Sequence, residues 1–185
     1  MSSQEIFSST VLTPVQQRKL REEFTVNGFV KINQAFTGKD LSQIQREVDK
    51  MMDRSIKSGR RLEAHWGGEW RKDVKVEGDK QARSVLSIHN VQYHSSYLAQ
   101  LMFHPNLVDP SAAVIGSTNL QLHHTLMHAK PPKVGAAFPM HQDYDYFPHK
   151  LDTMIAATLY LDDSGVENGC LCVYPGSHKQ GYIEK

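Results

Sequence analysis

Residues 138–181 read FPMHQDYDYFPHKLDTMIAATLYLDDSGVENGCLCVYPGSHKQG, and this stretch decides the fold. It joins a His-x-Asp pair, His141 and Asp143, to an apolar run at 153–161. A polar turn follows, then a short apolar run at 170–174 and a Pro-Gly-Ser-His-Lys turn. Successive side chains alternate across a strand, so residues two apart point to one face. On a strand over 138–146, His141 and Asp143 would stand side by side. An imidazole and a carboxylate so placed are two members of the 2-His-1-carboxylate triad that holds non-haem Fe(II). Spacing alone carries little weight. With ten His and eleven Asp in 185 residues, composition yields roughly 0.6 such pairs by chance. A solvent-facing pair is then the blander reading.

The surrounding pattern is rich in strands. The run at 153–161 is nearly all apolar with β-branched members, as a strand buried on both faces should be. From Leu120 to His128, apolar and polar residues alternate, which puts His124 and His128 on one face of a predicted strand. A histidine cluster invites a metal reading, and cleft lining or packing is the plainer one. Residues 84–91 read as another strand, and 95–115 as a helical stretch broken at Pro105 and Pro110, with Gly116 as its stop.

Nearer the start the periodicity is helical. Thr13 before Pro14 predicts a capped helix to about Phe24, stopped by Asn27-Gly28, with a short strand at 29–32. Thr37 opens a second helix, whose apolar stripe is Leu41, Ile44, Val48, Met52 and Ile56. Residues 59–83 hold His65, Trp66, Trp70 and a Gly67-Gly68 pair, and read as a surface loop or a lid.

Composition narrows the function classes. A net charge of +1 with 22% charged residues gives no nucleic-acid footprint. No apolar run approaches the roughly 18 residues that span a bilayer, and the first dozen residues lack a secretory layout. A cytoplasmic protein is expected. Cys170 and Cys172 are one residue apart, at the limit for bridging on a strand, and read as reduced thiols packed in a core. A Cys-x-Cys metal site is the sharper alternative.

Several motifs, taken in order, resemble the phytanoyl-CoA dioxygenase family of Fe(II)- and 2-oxoglutarate-dependent dioxygenases. They are Lys130-Pro131-Pro132, His141-Gln142-Asp143, Tyr146-Phe147-Pro148, Leu161-Asp162-Asp163, Glu167-Asn168-Gly169-Cys170-Leu171 and Pro175-Gly176-Ser177-His178-Lys179. Weaker likeness reaches back to Phe24 and Ile32. The resemblance implies a mainly β fold with N-terminal helices, a double-stranded β-helix (jelly-roll) core. The chain would be one domain over 1–185, with helices in 1–60 bracing core strands in 84–185.

The same resemblance implies iron held by His141 and Asp143, with Gln142, Leu126 and Thr158 near 2-oxoglutarate. Thr158 departs from the family, where tryptophan is frequent, and His89 falls near a family lysine that it does not match. Asp145 could orient a ligand imidazole, and His178 packs or caps. The expected chemistry is hydroxylation of a small organic molecule with dioxygen, releasing succinate and CO2. The partners expected are that substrate and dioxygen, with no nucleic acid and no membrane.

In the family a distal histidine supplies the third iron ligand, and an arginine about ten residues further on anchors 2-oxoglutarate. Neither follows Lys179 here. Two readings result. The chain is the N-terminal portion of an oxygenase, or it is a catalytically incompetent jelly-roll protein acting as a binding or regulatory module. A cut roll would leave the 153–161 strand without partners.

Overall fold

A computed structural model describes residues 12–59, 86–130 and 140–183. The predicted loop at 60–83, the Pro131-Pro132 part of the Lys-Pro-Pro motif, and Phe138 and Pro139 lie outside the described residues.

Helix α1, Pro14–Asn27, begins as expected. Thr13 Oγ1 accepts from Gln16 N at 3.3 Å while Gln16 Oε1 accepts from Thr13 N at 2.9 Å, closing a reciprocal cap. The helix runs past Phe24 to Asn27, and Gly28 ends it with φ 80, its N–H donating to Phe24 O at 2.7 Å. The expected strand at 29–32 does not form. Val30 and Ile32 instead pack their side chains against Leu12 and Leu20, beside Ala113. Side-chain burial is achieved there without a neighbouring backbone to pair with.

Helix α2, Gly38–Lys57, carries the main core. Its buried line is Ile44, Met51 and Ser55, with Leu41, Val48 and Met52 beside it. Ile56, expected on the stripe, is exposed. A helix turns by 3.6 residues, so a line through 44, 48, 51 and 55 stays on one face and 56 rotates off it. Helix α3, Ser96–Leu101, and helix α4, Pro105–Ile115, follow. Pro105 opens α4, and Pro110 lies inside it without breaking it.

Strand β1, Leu86–His89, pairs antiparallel with strand β2, Leu126–Ala129, in the register Leu86 to Ala129 and His89 to Leu126. This is the one sheet among the described residues. Ile88, Val91, Leu98 and Leu101 close over Phe36, Ile44 and Met51. The β2 strand begins later than predicted, since 120–125 forms no strand. Residues 153–161 and 170–174 are likewise unpaired. The expectation of a strand buried on both faces at 153–161 is therefore corrected: Thr158 and Tyr160 are exposed, while Leu159 and Leu161 alone lean on the core. An extended segment becomes a strand only when a neighbour takes its N–H and C=O groups. Here Gln45 of α2 donates instead, to Leu161 O at 2.7 Å. Cys170 is half-buried and Cys172 exposed, both as free thiols, so they do not form part of a core.

The Pro-Gly-Ser-His-Lys turn docks on the end of α1. Gly176 N donates to Asn27 O at 2.8 Å, and His178 Nε2 lies 3.1 Å from Thr25 O. The His178 ring also faces Phe24. The turn thus satisfies carbonyls that the helix leaves open, in keeping with the packing or capping role read for His178.

Candidate metal centre

Gln142 is extended, and the chain then turns at once, with Asp143–Asp145 in a single 3₁₀ turn. Tyr146 N and Phe147 N both donate to Asp143 O, at 3.0 and 2.9 Å. His141 and Asp143 are therefore not strand neighbours as predicted. They still meet across the extended Gln142, as residues two apart on an extended backbone do, with His141 Nε2 3.4 Å from Asp143 Oδ1. Donors bound to one ion at about 2.0–2.2 Å stand roughly 3 Å apart, so the separation suits a shared cation. Asp143 has half its side chain in solvent and His141 about a fifth, which leaves an approach on the carboxylate side.

The pair alone does not complete a centre. Among the described residues, no group of three or more His, Cys, Asp or Glu is placed to hold a metal. His178 is engaged at the end of α1.

The expected cofactor residues separate. Gln142 Nε2 donates to Gly181 O at 2.9 Å, and Gln142 Oε1 accepts from Ile183 N at 2.8 Å. Both ends of its amide thus clamp the 181–183 segment. Tyr182 joins this clamp, its hydroxyl donating to Asp145 Oδ1 at 2.9 Å and its ring stacking near Tyr144. Sequence reading missed Tyr182 altogether. These contacts span about forty residues, and no local pattern announces them.

Leu126 sits on β2 opposite His89. His124, two residues earlier, is the diagonal neighbour on that face, and His89 Nδ1 lies 3.0 Å from His124 Nε2. Phe147 links this face to the turn. Its ring lies 5.0 Å from His123 and 6.0 Å from His124, and Tyr146 stands between it and His141. Leu126 is thus on the side that the His141 turn approaches. Thr158 is exposed on the unpaired 153–161 run.

His128 lies on the same face, two residues along β2 from Leu126, its Nδ1 2.7 Å from the hydroxyl of buried Ser87. His128 keeps an exposed surface. Even so, burial around its ring, then the charges of His89 and Lys130, pushes its pKa down to about 4. The neutral ring is favoured when folded, so between about 6.5 and about 4 the unfolded chain binds more protons and stability rises with pH. Thermal melts should lose midpoint steadily as pH drops through that window, and His128→Gln should flatten the slope. Parallel slopes for the two proteins would show that this ring is not the sensor.

Residues 24–185 match the family profile described as Phytanoyl-CoA dioxygenase (PhyH). The chain is 29% identical over 177 residues to the peroxisomal phytanoyl-CoA dioxygenase of Homo sapiens, covering 92% of this chain and 49% of that protein. It is 23% identical over 159 residues to a probable alpha-ketoglutarate-dependent hypophosphite dioxygenase of Stutzerimonas stutzeri, covering 86% and 52%. With the ectoine dioxygenase of Bordetella bronchiseptica it shares 26% over 164 residues, covering 86% and 48%. The chain spans about half the length of the curated relatives it matches. No solved structure matches.

Proposed function

This chain belongs to the phytanoyl-CoA dioxygenase family, and from that premise we propose that His141 and Asp143 supply two ligands of a non-haem Fe(II) site. The site would serve a 2-oxoglutarate-dependent dioxygenase that hydroxylates a small organic substrate with dioxygen and releases succinate and CO2. The observation that carries this reading is the 3.4 Å approach of His141 Nε2 to Asp143 Oδ1 across the extended Gln142. Fe(II) with 2-oxoglutarate, when bound, supplies the oxidising chemistry that no side chain can.

The chain's own residues do the rest. Asp143 offers the negative charge that offsets the cation, and His141 offers Nε2 as a neutral donor. The ring of Tyr146 meets the His141 imidazole edge-on at 5.6 Å and restrains its rotation. Phe147, packed against the His123 and His124 rings, lends an apolar flank on the sheet side. We assign 2-oxoglutarate contacts to Leu126, Gln142 and Thr158. Leu126 is supported by its face, whereas Gln142 would first have to release the 181–183 backbone.

The same reading makes 1–185 one unit in which helices within 1–60 brace the strands of a jelly roll. A cytoplasmic setting fits ferrous iron and the free thiols of Cys170 and Cys172. No helix among the described residues is long and apolar enough to cross a membrane.

Anaerobic Fe(II) titration with 2-oxoglutarate present tests the site. Saturable binding should appear and be lost in His141→Ala and in Asp143→Ala, with helical circular dichroism unchanged. Binding that survives both substitutions places the ion elsewhere. An unsubstituted chain that binds no Fe(II) would overturn a site in which this pair holds the ion without a third side chain.

A further inference from the structure

We propose that His89 and His124 form a second cation site, separate from the His141 and Asp143 pair, that takes a borderline divalent transition ion such as Cu(II) or Zn(II). The two rings converge from different parts of the chain, with Nδ1 of His89 and Nε2 of His124 3.0 Å apart and centroids 5.1 Å apart. That separation matches two nitrogen donors on one ion at about 2.0–2.1 Å each.

The backbone beneath them is fixed. The β1–β2 pairing ends at His89 and Leu126. Beyond it, Asn90 N donates to Thr125 O at 2.8 Å and Val91 N to Thr125 Oγ1 at 3.0 Å. Thr125 is buried, and Asn90 turns the chain with φ 56. Neither histidine backbone has far to move on binding, and little ordering cost remains for the ligands. His89 is exposed and His124 half-buried, so solvent can fill the remaining coordination positions.

The donor set decides the class of ion. Two imidazoles without a carboxylate between them favour copper, zinc and nickel over magnesium, calcium and manganese. Ligation needs neutral rings. His124 is held neutral below the ordinary histidine range by burial first, then by the charges of His89 and His123.

The plainer account is a mutual hydrogen bond, one ring donating and the other accepting. It accounts for the distance and predicts no ion. The site shares no donor with the proposed iron pair, and a run of ring contacts from His124 through Phe147 and Tyr146 to His141 connects the two.

Cu(II) alone is the probe, titrated into the unsubstituted chain, His89→Gln, His124→Gln and Asp143→Ala, with electron paramagnetic resonance and thermal melts as readouts. A Cu(II) with two coordinated imidazoles and a higher melt when loaded should appear in both the unsubstituted chain and Asp143→Ala, whatever further Cu(II) the His141 and Asp143 pair takes in the former. Each glutamine variant should bind roughly a hundredfold more weakly, since the second donor acts at high effective concentration. Binding unchanged in both glutamine variants, binding lost in Asp143→Ala, or no saturable binding by the unsubstituted chain would each overturn the site. Should a glutamine variant fail to fold, copper-catalysed oxidation mapped on the unsubstituted chain decides: oxidation at His89 and His124 supports the site, and oxidation confined to other histidines rejects it.

Discussion

Met51→Ala is expected to remove about 2–5 kcal/mol of stability, the range for Met to Ala in a packed interior. Met51 has no exposed surface, and it lies on α2 among Phe36, Ile44, Ile88, Val91, Leu98 and Leu101. Few residues in the described part of the molecule are so fully enclosed: Leu20, Ile44 and Met51 form the whole set of large side chains below 2% exposure. Truncation deletes the transfer energy of the thioether chain and leaves a cavity that α2 cannot close. The helix is tied at several points, by Gln45 to Leu161 O, by Glu47 to the Ser95 hydroxyl and by Arg54 to His94 O. Small domains hold only about 5–15 kcal/mol in total, so the loss should be visible as a large drop in denaturant midpoint. Met51→Leu, which conserves volume, should cost less than about 1.5 kcal/mol. A Met51→Ala protein within about 1 kcal/mol of the original would mean that α2 does not face this core.

Gly28→Ala is expected to destabilise by at least about 2 kcal/mol, from two independent causes. At φ 80 the residue is left-handed, where a Cβ costs roughly 1–2 kcal/mol. The added carbon would also stand 2.4 Å from His178 Nδ1 and 2.9 Å from the ring's Cγ, far inside contact distance. The ring must therefore leave, and the contact of Nε2 with Thr25 O goes with it, a further loss of about 1 kcal/mol. A double-mutant cycle with His178→Ala separates the causes by denaturant unfolding. In that background the steric part should vanish, leaving a coupling above about 0.5 kcal/mol. Additive effects would show that the turn at 175–179 is not seated on α1.

Both substitutions touch features that differ in how far the sequence announced them. The α1 start, the Gly28 stop and the Gly116 stop follow from capping chemistry among neighbours, whereas Thr37 stands at the start of α2 without a side-chain hydrogen bond to cap it. The α2 stripe was legible to within one turn, and Ile56 was misread because the last turn's orientation depends on what the earlier turns pack against. Strands at 29–32, 153–161 and 170–174 were over-read from apolar patterning. Pattern records which side chains avoid water, and it does not say whether another backbone is available to pair.

At the candidate centre the His141 and Asp143 types, their spacing and the family motifs around them were readable from the chain. The extended Gln142 between them accounts for their 3.4 Å approach, whereas the 3₁₀ turn that starts at Asp143 in place of a paired strand was not readable. The Gln142 clamp on 181–183, the seat of His178 on α1 and the convergence of His89 with His124 join residues from about 35 to about 150 positions apart. The sequence by itself determined the α1 cap, the helical core face and the closeness of His141 to Asp143, because each depends on interactions within a few residues. Only the tertiary structure decided which side chains that pair, the glutamine and the histidines would meet, because long-range contacts depend on how whole elements pack and not on the local code.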